Sequence, residues 1–190
     1  MAVPKHERGK TRTEFFDQLY RMHDALVEMM CRDFGIRGST RDLKTFTYRA
    51  RMSQEDRERF TELCGKYHVD VEASYPSWLV DHYRESMLRT LDELMKTVTM
   101  ANSIYVDVKS PNAMNEFKLR RKLQWRAIGL CETILQTLQN AARILNRLCG
   151  VDLQTYMPIV ELIMRESSAL REWKKSGNAI LSAIQENMKS

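Results

Sequence analysis

Apolar residues recur at intervals of three and four positions over most of the chain, which is the spacing of one face of an α-helix. In the C-terminal part, three such stripes predict helices over about residues 76–103, 113–148 and 152–187. Gly150 falls between the second and third stripes and suits a helix end. Pro158 lies several residues inside the third helix, so we expect either a bend or a later helix start there.

A fourth stripe, in the N-terminal part, predicts a helix over about residues 13–34, preceded by a flexible tail at 1–12. Residues 35–75 break the periodicity: a basic arm comes first, then a short helix that Ser53 can cap, then a loop. Short connections between long helices favour antiparallel neighbours. The pattern therefore predicts an all-α fold, an antiparallel (up-down) four-helix bundle. It forms one domain over 13–190, with 35–75 inserted between the first two long helices.

Composition agrees with a single globular domain. The chain has 190 residues, of which 43% are hydrophobic and 29% charged, and only 7 Gly and 4 Pro interrupt it. The first ten residues are polar, and no apolar run approaches the ~20 residues of a membrane span. None of the four cysteines forms a CxxC pair. We therefore expect a cytoplasmic protein with reduced thiols and no membrane partner.

The sequence carries no recognisable catalytic or metal-binding motif. The four histidines are scattered, and the Glu-x-x-His signature of di-iron bundles is absent. There is no GxSxG elbow and no Gly-rich phosphate loop. Cys131 falls on an apolar helix face, where a thiol is inert. The sequence therefore predicts a protein that is not an enzyme and uses no metal or cofactor.

Basic residues cluster in three places, although the net charge is only +5. The arm carries five cations against one acid, at Arg37, Arg41, Lys44, Arg49 and Arg51. The helix after residue 113 carries five more, with Trp125 among them, at Lys118, Arg120, Arg121, Lys122 and Arg126. The last helix adds Lys174 and Lys175.

These clusters admit two interpretations. One is a solvated helix face whose cations pair with nearby acids, as Glu116 can pair with Arg120. The other is a phosphate-binding surface, because Arg and Lys neutralise phosphates and aromatic rings stack on exposed bases. Five cations near the start of a helix oppose the preference of the helix dipole for acids. The two interpretations remain about equally supported by the residues alone.

Residues 100–138 and the later WKKS run resemble a known family. The matching elements are Asn-Ser-Ile-Tyr at 102–105, the Arg-Arg pair at 120–121, Arg-Ala-Ile-Gly at 126–129 and Trp-Lys-Lys-Ser at 173–176. They resemble the bacterial four-helix-bundle family of ribosomal 23S intervening-sequence proteins and accessory variability determinants of diversity-generating retroelements. Val106 stands where that family has a proline after Ile-Tyr.

The resemblance implies a function as well as a fold. It implies an accessory protein that forms a homo-oligomeric ring, often a pentamer, and presents a basic surface. Proteins of this kind bind a reverse transcriptase together with its template RNA or cDNA. Carried over by position, Arg120, Arg121 and Arg126 would face nucleic acid, and Lys174 and Lys175 would be weaker candidates.

Two other functions stay open at this stage. The first is a protein–protein adaptor whose bundle face docks a partner helix while the charges merely keep it soluble. The second is an accessory protein for DNA mobilisation that applies the basic arm at 37–51 to duplex DNA.

Overall fold

The computed structural model describes residues 5–36, 53–66 and 77–188, and these segments are helices with their connections. The prediction of an all-helical fold is therefore confirmed for this part of the chain. The helices, in chain order, are α1 (Lys5–Cys31), α2 (Gln54–Lys66), α3 (Ser77–Ser103), α4 (Ala113–Cys149), α5 (Met157–Ser176) and α6 (Asn178–Asn187). Short 3-10 turns follow α1 at Asp33–Gly35 and precede α5 at Leu153–Tyr156.

The N-terminal helix is longer than its apolar stripe. It begins at Lys5 rather than near residue 13, so much of the expected tail is helical. Its first residues include Lys, Glu and Arg, which are good helix formers but contribute no apolar periodicity. At the start of α2, the Ser53 hydroxyl accepts a hydrogen bond from the Asp56 backbone N–H at 3.2 Å. The predicted cap at Ser53 is therefore confirmed.

The C-terminal helix boundaries follow the glycines and the proline. Gly150 ends α4 in the left-handed conformation, with φ of 65°. Pro158 lies in the first turn of α5, so the later helix start expected there is confirmed. The single helix expected to reach residue 187 is instead interrupted at Gly177 and continues as α6. A contact from α4, described below, occupies this interruption.

The main core lies between α1, α3, α4 and α5. Helix α4 packs along both α3 and α5, and α1 packs along α5 and contacts α3. The Phe15 ring stacks on the Trp173 ring with centroids 4.4 Å apart. Between the 3-10 turns that follow α1 and precede α5, the buried Tyr156 hydroxyl donates a 2.8 Å hydrogen bond to the Phe34 carbonyl. The predicted apolar stripes supply this core, including the fully buried Leu19, Leu26, Met87, Leu91, Leu94, Ile134, Leu138 and Leu145.

A smaller apolar cluster forms beside the start of α4. Val106, Ala113 and Phe117 are buried there with Ile184 of α6. The Asn187 side-chain amide donates a 3.0 Å hydrogen bond to the Val108 carbonyl in the α3–α4 connection. Helix α6 is therefore fastened next to the basic half of α4.

The helices that the structure describes were also compared with the requirements for a membrane span. None of them combines the length and the apolar character needed to cross a bilayer.

Candidate nucleic-acid interface

The first half of α4 presents two lysines and a tryptophan along one exposed stripe. Residues 117–131 contain five cations and no Asp or Glu. Lys118, Lys122 and Trp125 are exposed and stand four and then three residues apart, so they share one helix face. Neither lysine makes an ion pair with any residue that the structure describes. Two lysines that no described acid neutralises therefore share a helix face with an exposed indole.

Lys174 of α5 completes this surface from the neighbouring helix. Its ammonium nitrogen lies 3.1 Å from the centroid of the Trp125 ring, a cation–π contact. Burial lowers the pKa of Lys174, and the nearby charges of Arg121, Arg171 and Lys175 lower it further. The repulsion from these cations reflects a local excess of positive charge. We call Lys118, Lys122, Trp125 and Lys174 the basic stripe.

Arg121 has a structural position rather than an exposed one. Its guanidinium donates one hydrogen bond to the Lys174 carbonyl at 2.6 Å and a second to the Asn178 side-chain oxygen at 2.9 Å. It also lies over the Phe117 ring, 5.6 Å from the centroid. A Cβ added at Gly177 would come 3.3 Å from the Lys174 carbonyl and 3.6 Å from the Arg121 guanidinium. Arg121 therefore joins α4 to the junction between α5 and α6.

Three further cations of the predicted site have partners within the chain. Arg120 lies over the Trp173 ring, 5.5 Å from its centroid. Arg126 pairs with Glu93 of α3, and its Nε lies 3.0 Å from the carboxylate. The Lys175 ammonium pairs with Glu172 at 2.6 Å. The pairs of Arg126 and Lys175 are exposed, and such pairs contribute only about 0–1 kcal/mol, so a phosphate can compete for them.

The helix dipole opposes the cations of α4 less than the sequence indicated. Helix α4 begins at Ala113 and its first turn carries Glu116, whereas the first cation, Lys118, is its sixth residue. The dipole acts mainly within the first turn. Electrostatic opposition at the helix start therefore gives little reason by itself to assign a function to these cations.

The basic arm lies outside the residues that the structure describes. Its five cations, Arg37, Arg41, Lys44, Arg49 and Arg51, therefore keep the status of a sequence prediction.

Two residues of this surface, Trp125 in the basic stripe and Gly129 next to it, are absent from the predicted site residues. Trp125 was noted among the cations but not assigned to the site, and its contact with Lys174 joins two helices that are distant in sequence. Gly129 lies one turn beyond Trp125 on the same exposed face. The i+4 spacing from Trp125 to Gly129 was a readable signal, but the contact with Lys174 was not.

A shallow groove of about 280 Å³ runs between α4 and α5, further along from the basic stripe. Cys131, Ser167 and Arg171 line it, and Arg171 pairs with Glu132 at 2.8 Å. Burial raises the pKa of the Cys131 thiol strongly, so the reactive thiolate is disfavoured. Among the described residues there is also no group of three His, Cys, Asp or Glu side chains that could hold a metal ion. The Cys131 thiol in this groove is therefore not an activated nucleophile.

No protein-family model, no curated protein and no solved structure matches this chain.

Proposed function

We propose that this protein is a non-catalytic accessory protein that binds nucleic acid through the basic stripe. The observation that carries the proposal is that Lys118 and Lys122, which make no ion pair with any described residue, share a helix face with an exposed tryptophan that already holds a third cation. Lysines release counterions from phosphates when they bind them, and indole rings stack on bases.

The resemblance extends this proposal to particular partners. We propose that the nucleic acid is structured RNA or an RNA–cDNA intermediate, and that a reverse transcriptase is the protein partner in the cytoplasm of a bacterium. In this function the chain holds template and polymerase together. Co-purification of a reverse transcriptase that survives nuclease treatment is the expected result, and its loss on nuclease treatment would show that RNA alone bridges the two proteins.

We also infer that α1, α3, α4 and α5 form an up-down four-helix bundle. The order of contacts along α1 is the reverse of that along α5. Phe15, near the start of α1, contacts Trp173, near the end of α5, whereas Phe34, just after α1, contacts Tyr156, just before α5. Helices α3 and α4 pack along each other and are joined by only the residues between Ser103 and Ala113. Both arrangements support antiparallel neighbours.

Ring formation is a separate proposal that the resemblance supports. A homo-oligomeric ring, with a pentamer as the expected form, has a mass of five times the 22.4 kDa chain. Light scattering coupled to size-exclusion chromatography measures this mass directly. A monomer at tens of micromolar would contradict the ring.

Neutralising the two lysines of the basic stripe tests nucleic-acid binding. We expect the double variant Lys118→Gln/Lys122→Gln to bind structured RNA about 5- to 20-fold more weakly at moderate salt. Measured on a single-stranded RNA, the slope of log affinity against log salt should fall by about 1.4, because each phosphate contact on a single strand contributes about 0.7. Filter binding or fluorescence anisotropy between 50 and 300 mM salt gives both quantities.

The matched control is Arg21→Gln/Arg147→Gln, which removes the same net charge from exposed positions on α1 and at the far end of α4. It should keep the wild-type salt slope and lose less than twofold in affinity. If the two double variants lost RNA affinity equally, net charge alone would explain the effect, and a defined interface would be refuted.

An adaptor function is the second candidate, and one observation favours it. Leu88 and Met100 on α3 and Leu119 on α4 are exposed apolar side chains. Such residues can dock a partner helix without any nucleic acid. Partner capture that survives nuclease and high salt, together with unchanged RNA affinity of Lys118→Gln/Lys122→Gln, would favour the adaptor.

A further inference from the structure

The Trp125 ring combines a close contact on one face with a large exposed area. Its side chain is 58% exposed even though the Lys174 ammonium lies 3.1 Å from the ring centroid. Because the ammonium covers one side of the ring, most of the exposed area must belong to the opposite face and the edge. An indole face left open to water is a binding surface for another planar group.

Lys174 orients the Trp125 ring and also places a positive charge beside it. A cation over an aromatic face restricts the ring to one position, so less freedom is lost when a ligand binds the other face. The Arg121 guanidinium holds the carbonyl of the same residue, Lys174, at 2.6 Å. The lysine backbone is thereby fixed relative to α4, and the open side of Trp125 is presented in a defined orientation.

Gly129 keeps the approach to Trp125 clear. It lies in the middle of α4, where a glycine costs about 0.5–1 kcal/mol relative to alanine. Packing does not require it, because a Cβ added there would meet no atom within 4 Å. Side chains on a helix lean toward its N-terminus, so a larger residue at 129 would cover the turn that carries Trp125. The glycine leaves that turn bare.

The charges around the ring indicate what kind of molecule binds there. Lysine is depleted at the centres of protein–protein interfaces. Here Lys174 lies over one face of the indole, and Lys122 and Lys118 follow on the same helix face toward its N-terminus, which suits a ligand that carries both planar groups and phosphates. In a duplex the faces of the bases are already stacked, whereas in a single strand they are open.

We propose that Trp125, held by Lys174 and left accessible by Gly129, is a stacking platform for an unpaired base of single-stranded nucleic acid. Lys122 and Lys118, which follow one another along the same helix face on the N-terminal side of Trp125, bind successive phosphates on one side of that base. This inference rests on the proposed function and narrows it, because it states which form of nucleic acid the basic stripe selects. The duplex is bound through its phosphates alone.

The first test removes the indole. Trp125→Ala should lower affinity for an unstructured 12-nucleotide RNA about 5- to 100-fold, the range for loss of one base stack. Affinity for a blunt 20-base-pair RNA duplex should stay within twofold. Trp125→Phe, which keeps a flat ring, should recover most of the loss on the single strand. Thermal melts check that each variant remains folded, which the exposure of Trp125 leads us to expect.

The second test covers the platform without removing it. Gly129→Leu should stabilise the helix yet weaken single-strand binding at least fivefold, because the added side chain leans over Trp125. Gly129→Ala is the matched control: it should stabilise the fold to a similar extent and change affinity less than twofold. Reduced binding in a more stable protein separates occlusion of the site from unfolding.

The outcomes distinguish this inference from the function on which it rests. If Trp125→Ala binds single strands normally while Lys118→Gln/Lys122→Gln binds weakly, the platform is refuted and phosphate binding stands. Equal losses on single strand and duplex also refute the platform, because the tryptophan would then not select unpaired bases. If the wild-type protein binds neither nucleic acid, the proposed function fails together with the platform.

Discussion

Glu166→Gln is expected to be more stable than the wild-type protein at alkaline pH and to lose much of its pH dependence. Glu166 lies on α5 and is fully buried, and neither of its carboxyl oxygens has a hydrogen-bond partner among the residues that the structure describes. Burial raises the pKa of this carboxyl from 4.5 to about 8. The folded protein therefore keeps a proton that the unfolded chain loses.

The direction of the effect follows from proton linkage. Between pH 4.5 and about 8 the folded state binds more protons at Glu166 than the unfolded state, so stability falls as pH rises. Below pH 4.5 both states are protonated and the residue has little effect. Above pH 8 the full effect is present, and at about 1.36 kcal/mol for each pKa unit it amounts to about 5 kcal/mol.

Urea unfolding between pH 4 and 9.5 measures this effect. The free energy of unfolding of Glu166→Gln should gain on the wild type by up to about 5 kcal/mol as pH rises through this range. Glu161→Gln, which changes an exposed carboxylate on the same helix, is the control and should follow the wild type within about 0.5 kcal/mol. Parallel curves for Glu166→Gln and the wild type would show that Glu166 does not carry the linkage.

Arg121→Ala is expected to destabilise the fold by about 2–3 kcal/mol and to loosen α6. The substitution leaves the Lys174 carbonyl and the Asn178 side chain without the donors that now reach them. Hydrogen bonds to a charged group contribute about 1.5–3 kcal/mol. Because the guanidinium also joins α4 to the α5–α6 junction, the loss should be concentrated at residues 178–187.

A second variant at Arg121 and a control at Lys122 test whether the stability loss comes from the guanidinium. Arg121→Lys should recover little of the stability, because an ammonium cannot reproduce the two-pronged geometry of the guanidinium. Lys122→Ala removes an exposed cation next in sequence and should change stability by less than about 0.5 kcal/mol. Denaturant unfolding gives the global effect, and amide hydrogen exchange in α6 gives the local one. An Arg121→Ala protein as stable as Lys122→Ala would contradict the structural role.

The role of Arg121 changes how the basic cluster is to be tested. Reversing Arg120, Arg121 and Arg126 together, as the resemblance suggests, would disturb a helix junction and an ion pair with Glu93 as well as any interface. A loss of RNA binding in such a variant could come from the fold. Lys118 and Lys122 have no ion pair with any described residue, so their substitution reports on the surface alone.

The positions of the long helices were predictable from the sequence because burial repeats along them. Helix α3 ends at Ser103, and α4 begins at Ala113, where the apolar stripes indicated. Glycine and proline set the boundary between α4 and α5, since the left-handed residue at Gly150 and the first-turn Pro158 act through local backbone geometry. These features depend only on residues that are close in sequence, so they can be predicted without knowing any tertiary contact.

The chemistry of the individual cations depended on contacts between helices. The sequence by itself determined an all-helical fold and a region of α4 rich in cations and free of acids. Only the tertiary structure decided that Arg121 fastens α4 to the α5–α6 junction, that Arg126 pairs with Glu93, and that Lys174 lies over Trp125. Periodicity shows which face of a helix is buried, but the side chain that meets a given cation comes from a helix distant in sequence, and no local pattern specifies that register.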